Sequence, residues 1–144
     1  MSDEIVVCPA CGGLNRVPAS RLAQGPSCGK CHRPLFSGAP ADVDEAMFER
    51  MVQKGTLPVL ADFWAAWCGP CRTMAPAFAA AAAKLEPHVR LVKVDTEKAQ
   101  ALSGQLAIRS IPTLALFRQG REVARQAGAL PESQIVGWAR AALQ

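Results

Sequence analysis

The chain has 144 residues, of which 50% are hydrophobic, 19% charged and only 6% aromatic. That is long enough for one ordinary domain with a small appendage, and apolar enough to exclude wholesale disorder. The longest all-apolar run, Ala77 to Ala83, falls far short of the ~20 residues of a membrane helix, and the net charge of +4 is scattered, with no basic stripe for nucleic acid.

The opening Met1-Ser2-Asp3-Glu4 carries acids where a secretory signal needs basic residues and then an apolar stretch, so the expected location is cytoplasmic. Residues 1–36 hold four cysteines, four prolines and four glycines and show no helical stripe. Residues 37–42, Ser-Gly-Ala-Pro-Ala-Asp, read as a linker or an irregular first strand. From residue 43 the pattern becomes regular. Val43, Met47 and Met51 predict an amphipathic helix over 43–54, closed by Gly55. Val59 to Trp64 is a buried-type strand interrupted only by Asp62. Gly69 to Leu85 is a helix with Pro76 inside it, and Val89 to Asp95 a second buried strand. A short helix over 97–106 precedes a hairpin, Thr113–Arg118 and Arg121–Ala127, turning at Gln119-Gly120. A helix over 132–143 closes the chain. The order α-β-α-β-α-β-β-α predicts an α/β domain over 43–144, a mixed sheet flanked by helices on both faces.

All six cysteines fall in three Cys-x-x-Cys pairs. Sixteen residues separate Cys11 from Cys28 but thirty-six separate Cys31 from Cys68, so the first two pairs belong together and the third stands alone. Cys8, Cys11, Cys28 and Cys31 have the spacing of a four-thiolate zinc site, with Pro and Gly in the tight turns that aim two sulfurs at one ion. A module of 36 residues is too small to rest on an apolar core, and structural zinc supplies what it lacks. One closed, structural Zn2+ is expected, in a zinc ribbon over 1–36. The rival reading is two further redox disulfides. His32 beside Cys31 is a spare donor that four cysteines leave unused. Arg16, Arg21, Lys30 and Arg33 have only Phe36 as a nearby aromatic, so they form no stacking platform for nucleic acid and read as a solvated face.

The third pair sits where a strand hands over to a helix. Cys68 then lies at the helix N-terminus, where unpaired N–H groups stabilise an anion. Only the thiolate attacks a disulfide, and an ordinary cysteine of pKa ~8.5 is about 3% ionised at pH 7. Cys68 is therefore the predicted nucleophile and Cys71, one turn inward, the resolving thiol. A structural disulfide or half of another metal site are the bland alternatives.

Trp67-Cys68-Gly69-Pro70-Cys71, preceded by Asp62-Phe63-Trp64-Ala65 and followed by Ile111-Pro112-Thr113, closely resembles the thioredoxin family. With the cysteine module in front, the chain resembles the zinc-containing thioredoxin-2 type. The resemblance implies a thioredoxin-like fold behind a small zinc ribbon, and a thiol-disulfide oxidoreductase that reduces protein disulfides. It implies that Asp62, whose burial raises its pKa, serves Cys71 as proton acceptor, although an Asp at a strand end could instead face water. Lys93 resembles the lysine that neighbours this acid, with an exposed strand lysine as the other reading. Pro112 resembles the cis-proline facing the disulfide; Trp67, Gly69, Pro70, Ile111 and Gly128 would line the substrate groove. Ala66 stands where relatives often carry Pro or an acid. The implied partners are an NADPH-dependent thioredoxin reductase and disulfide-containing client proteins, with no membrane and no bound organic cofactor, since no dinucleotide fingerprint is present. The alternative function is a redox-sensing or chaperone-like module acting through release of zinc.

Overall fold

The computed structural model describes residues 2–144. Two short strands, β1 (Asp3–Val7) and β2 (Leu14–Pro18), pair antiparallel with Val7 opposite Leu14. A 3-10 turn at Ala19–Arg21 leads to a second knuckle, closed by a bridge between Ser27 and Pro34. This ribbon has a very small core, in which Val6, Val17, Leu22 and Leu35 surround Cys8 and Cys28.

The rest forms one five-stranded sheet, β3-β5-β4-β6-β7. Strands β3 (Ala41–Asp42), β4 (Val59–Trp64) and β5 (Arg90–Asp95) run parallel, while β6 (Thr113–Arg118) is antiparallel to β4 and β7 (Arg121–Ala127) antiparallel to β6. Helices α1 (Glu45–Lys54) and α3 (Gln100–Gln105) cover one face; α2 (Gly69–Leu85) and α4 (Glu132–Ala142) cover the other. The predicted mixed sheet flanked by helices is the observed one. Strand alternation decides what each face buries. Val59, Ala61 and Phe63 of β4 meet Phe48 and Met51 of α1, whereas Leu60 meets Met74 and Phe78 of α2. Apolar burial of this kind contributes about 1.5–3 kcal/mol for each large side chain.

Helix boundaries shift for local reasons. α1 starts at Glu45 instead of 43 because the Asp44 carboxylate caps it, accepting from the Met47 N–H at 2.8 Å. α3 starts at Gln100 instead of 97 because the Asp95 carboxylate draws the Glu97 N–H into a turn at 2.9 Å. The β6–β7 hairpin turns on Gln119 (φ 54°) and Gly120 (φ 79°), two left-handed residues that match the strand twist. β3 is only two residues long and holds the sheet edge by its register with Val92 and Lys93.

The ribbon is seated against α1 and the end of the sheet. Val7 joins the apolar cluster of Phe48, Met51, Val52 and Val59. Thr56 donates to the Glu4 carboxylate (2.6 Å) and accepts from the Ile5 N–H (2.8 Å). Gly55 allows this approach, since a Cβ there would stand 2.7 Å from the Met51 carbonyl and 3.5 Å from that of Ile5. Arg90 closes the junction. It is 4% exposed, donates to the Val7 carbonyl (3.4 Å), lies 4.4 Å from the Phe36 ring centroid and pairs with buried Glu86 at 3.7 Å. Burial pushes the Glu86 carboxyl above its usual range and Arg90 opposes that.

Removing Arg90 strands the Glu86 charge. Arg90→Ala is expected to lower the unfolding free energy in urea by about 3 kcal/mol, and adding Glu86→Gln to restore most of it. A single-variant cost below ~1 kcal/mol would show that the pair carries no such role.

Candidate functional site

β4 delivers the chain from the sheet into α2 through a single turn. Ala65 is buried, Ala66 and Trp67 form the turn, and the Cys68 N–H closes it on the Ala65 carbonyl at 3.1 Å. Cys68 is the N-cap of α2, and its sulfur accepts from the Cys71 N–H at 3.2 Å. Gly69 and Pro70 follow in the first turn, where the N–H that proline lacks has no helical partner to miss. Cys71 lies one turn along, on the buried face of α2 that also carries Met74 and Phe78. The structure holds Cys68 and Cys71 as a disulfide with Cα atoms 5.3 Å apart.

A second chain segment faces this pair. The Ile111–Pro112 bond is cis, and the Ile111 carbonyl oxygen lies 3.7 Å from the Cys68 sulfur. The Thr113 hydroxyl donates to the Ser110 carbonyl at 2.6 Å, tying the turn from behind. Gly128 (φ 95°) donates to the Pro112 carbonyl at 2.9 Å, a backbone conformation that favours glycine. Trp67 is 67% exposed, and its indole N–H reaches the Glu97 carboxylate at 3.3 Å. Trp67 adjoins Cys68 in the turn, and Ile111 packs with Cys68 and Cys71, with Gly128 bracing Pro112.

Asp62 lies on the β4 face that meets α2, between Leu60, which packs on Met74 and Phe78, and Trp64, which packs with Cys68 and Cys71. It is fully buried, and neither carboxylate oxygen has a partner. Burial pushes its pKa up to about 7, against the attraction of Lys93. Lys93 is its register neighbour on β5 and lies 4.6 Å from the Trp64 ring centroid. Lys93, Trp64 and Asp95 line a solvent groove of about 570 Å³.

Residues 39–141 match the thioredoxin family model, and residues 7–33 match a zinc-ribbon model described as the N-terminal part of thioredoxin 2. The chain belongs to the thioredoxin family. It is 46% identical to thioredoxin C-3 of Corynebacterium nephridii over 140 residues, covering 97% of this chain and 96% of that one. It is 42% identical to the thioredoxin of Haemophilus influenzae over 67% of this chain and 90% of that one. Among solved structures, a mutant thioredoxin from Halobacterium salinarum superposes with a TM-score of 0.67 at 27% identity, over 76% of this chain and 95% of that one. The protein is a thiol-disulfide oxidoreductase, a protein-disulfide reductase of the thioredoxin type, and its Cys-Gly-Pro-Cys disulfide occupies the active-site position.

This thioredoxin also gathers the other four cysteines. The sulfurs of Cys8, Cys11, Cys28 and Cys31 all lie within 4.8 Å of one another, and none forms a disulfide. The Cys8–Cys31 and Cys11–Cys28 separations are both 3.6 Å. Zinc bound tetrahedrally at ~2.3 Å requires sulfurs about 3.8 Å apart, so the donor set fits that ion. The surrounding donors fit thiolates too. N–H groups of Ala10, Gly13 and Lys30 point at Cys8, Cys11 and Cys28, each at 3.4 Å, and the Asn15 amide reaches Cys28 at 3.5 Å. The ribbon family and this cluster mark a zinc site. His32, directly after Cys31, is exposed, with φ 68°, and is not one of the clustered donors. Asn15 and Glu97 carried no sequence signal of their own, since each acts through a hydrogen bond to a distant or backbone group.

Two outcomes follow from these sites. An acid whose folded pKa is raised binds its proton more tightly than the unfolded chain does, so Asp62 erodes stability as pH rises from about 4 to about 7. Asp62→Asn should be more stable than the parent by about 2–4 kcal/mol at pH 8, the gap closing near pH 4; an equal gap at both values would contradict the buried ionisation. For the ribbon, thiol counting on the reduced, metal-replete protein should find two fast thiols, rising to six after chelation. Six fast thiols from the start would remove the metal site.

Proposed function

We propose that Cys68 is the attacking thiolate and Cys71 the resolving thiol in reduction of client disulfides. The observation that carries this is the sulfur of Cys68 at the N-cap of α2, with the Cys71 N–H directed onto it. That N–H and the helix dipole favour negative charge at Cys68, while Cys71 lies inside the buried helix face, where desolvation keeps a thiol protonated.

In the first step the Cys68 thiolate attacks one sulfur of the client disulfide. The S–S bond breaks, one client thiolate leaves, and Cys68 is joined to the client through a mixed disulfide. Asp62 then takes the Cys71 proton. The Cys71 thiolate attacks the Cys68 sulfur, the Cys68–Cys71 disulfide forms, and the second client thiolate departs. Two electrons pass to the client, whose two thiolates take protons from water, while Asp62 releases the Cys71 proton to water. A carboxylate tuned to about 7 by burial matches that task near neutral pH. Lys93, beside Asp62 in the sheet and on the wall of the groove of about 570 Å³, stands where the proton leaves for water.

The groove formed by Trp67, Gly69, Pro70, Ile111, Pro112 and Gly128 receives the client chain, with the Ile111 carbonyl beside the reacting sulfur as a backbone acceptor. An NADPH-dependent thioredoxin reductase returns the electrons, and the protein itself holds no organic cofactor. Cys8, Cys11, Cys28 and Cys31 hold one structural zinc ion that keeps the ribbon folded. We assign the ribbon to residues 1–36, a linker ending in a first strand to 37–42, and the catalytic domain to 43–144. No helix among the described residues is long and apolar enough to cross a membrane, and the four unbridged ribbon cysteines suit a reducing compartment, the cytoplasm.

Cys68→Ser should abolish turnover in insulin-disulfide reduction, and Cys71→Ser should accumulate a covalent client adduct released by dithiothreitol. Full turnover by Cys68→Ser would overturn the assignment.

A further inference from the structure

Trp67 is the most exposed large apolar side chain beside the reactive pair, and its neighbour Ala66 has only a methyl group with which to anchor the turn they share. An exposed indole on an unanchored turn would have to be ordered by each client as it binds. The turn is nevertheless tied at two points. On one side the Trp67 indole N–H donates to Glu97, just beyond β5. On the other, the Arg72 guanidinium folds back over six residues and donates to the Ala66 carbonyl at 2.7 Å. Arg72 follows Cys71 directly in the first turns of α2, and its own N–H bonds the Cys68 carbonyl at 3.2 Å. One residue therefore links the turn carrying Trp67 to the helix carrying both cysteines.

We propose that Arg72 is a positioning residue for client capture, which clamps the Ala66–Trp67 turn to α2 so that the Trp67 wall stands preformed beside Cys68. The inference rests on the reading of Trp67 as part of the client groove. A charged donor on a backbone carbonyl is among the stronger hydrogen bonds available at a surface, and its length here places it in the well-formed range. Each residue of the turn has its own tie: Cys68 to Ala65, Trp67 to Glu97, Ala66 to Arg72. Without the clamp, the turn keeps its closing hydrogen bond but is free to swing about the β4 end, and ordering it becomes part of the cost of binding. Small disulfides, which touch the sulfur and little else, depend on the wall less than protein clients do.

The test uses the full chain, reduced and metal-replete, mixed with oxidised insulin or with a small aromatic disulfide, and follows the second-order rate of disulfide reduction. Arg72→Ala should slow the insulin reaction about 5- to 10-fold more than the small-disulfide reaction, as expected for the net loss of one solvent-exposed hydrogen bond. Arg72→Lys, which retains a donor but not the guanidinium reach, should recover part of that loss. The pH midpoint of Cys68 alkylation by iodoacetamide should match the parent in both variants. Equal slowing toward both disulfides, or an upward shift of the alkylation midpoint, would mean that Arg72 acts through its charge on Cys68, and would overturn the proposal. No slowing would overturn it as well. Trp67→Ala separates the two readings: if it leaves insulin reduction unslowed, the groove assignment fails, whereas slowing by Trp67→Ala without slowing by Arg72→Ala defeats the clamp alone.

Discussion

The first N–H groups of a helix have no carbonyl to bond within the helix, and in this chain the side chain placed to receive one is a thiol, Cys68. That placement depends on where β4 stops. The strand is buried through Phe63, so its backbone must stay in the sheet, yet α2 has to begin within a few residues if Met74 and Phe78 are to reach Leu60. The turn at Ala65–Cys68 is the short connection that satisfies both demands. It leaves Cys68 at the helix end and turns Cys71 into the protein, so the difference between the two thiols follows from packing.

The same side chain serves two chemistries because the anion is neutralised in two ways. At Cys68 the helix end supplies partial positive charge and leaves the sulfur able to react. In the ribbon four sulfurs converge, three of them met by backbone N–H donors, and only a cation can hold that much negative charge together. The ribbon has a minimal apolar core and joins a much larger one through Val7 and Arg90. Arg90 shows what this junction demands: a charged pair with Glu86 is taken almost entirely out of water where the ribbon covers the edge of the sheet.

Much of the fold was legible because it is written in periodicity. The runs at 59–64 and 90–95 are apolar enough to be buried strands, and the alanine-rich 69–85 segment has no other sensible state. β3 was legible only as one of two readings of residues 37–42, a linker or an irregular first strand, since two residues carry no period and Ala41–Asp42 becomes a strand only through pairing with β5. The ribbon strands Asp3–Val7 and Leu14–Pro18 escaped notice because they are short and hold together only by pairing with each other. Arg90 reads as a surface charge at a strand end until the ribbon covers it. At the site, Asp62 stood out as an acid in an apolar run, and the cysteines by their spacing. Glu97 and Arg72 did not, because their partners are a side chain thirty positions away and a bare carbonyl, neither of which a sequence displays.

The proposed mechanism turns on Cys68 being ionised by its position at the helix end. Thiolate absorbance near 240 nm, followed against pH in the reduced, metal-replete protein and referenced to Cys68→Ser, reads this directly. A Cys68 midpoint at least one unit below the ordinary ~8.5 is the predicted result. A midpoint at or above that value would contradict the claim that the N-terminus of α2 makes this sulfur reactive.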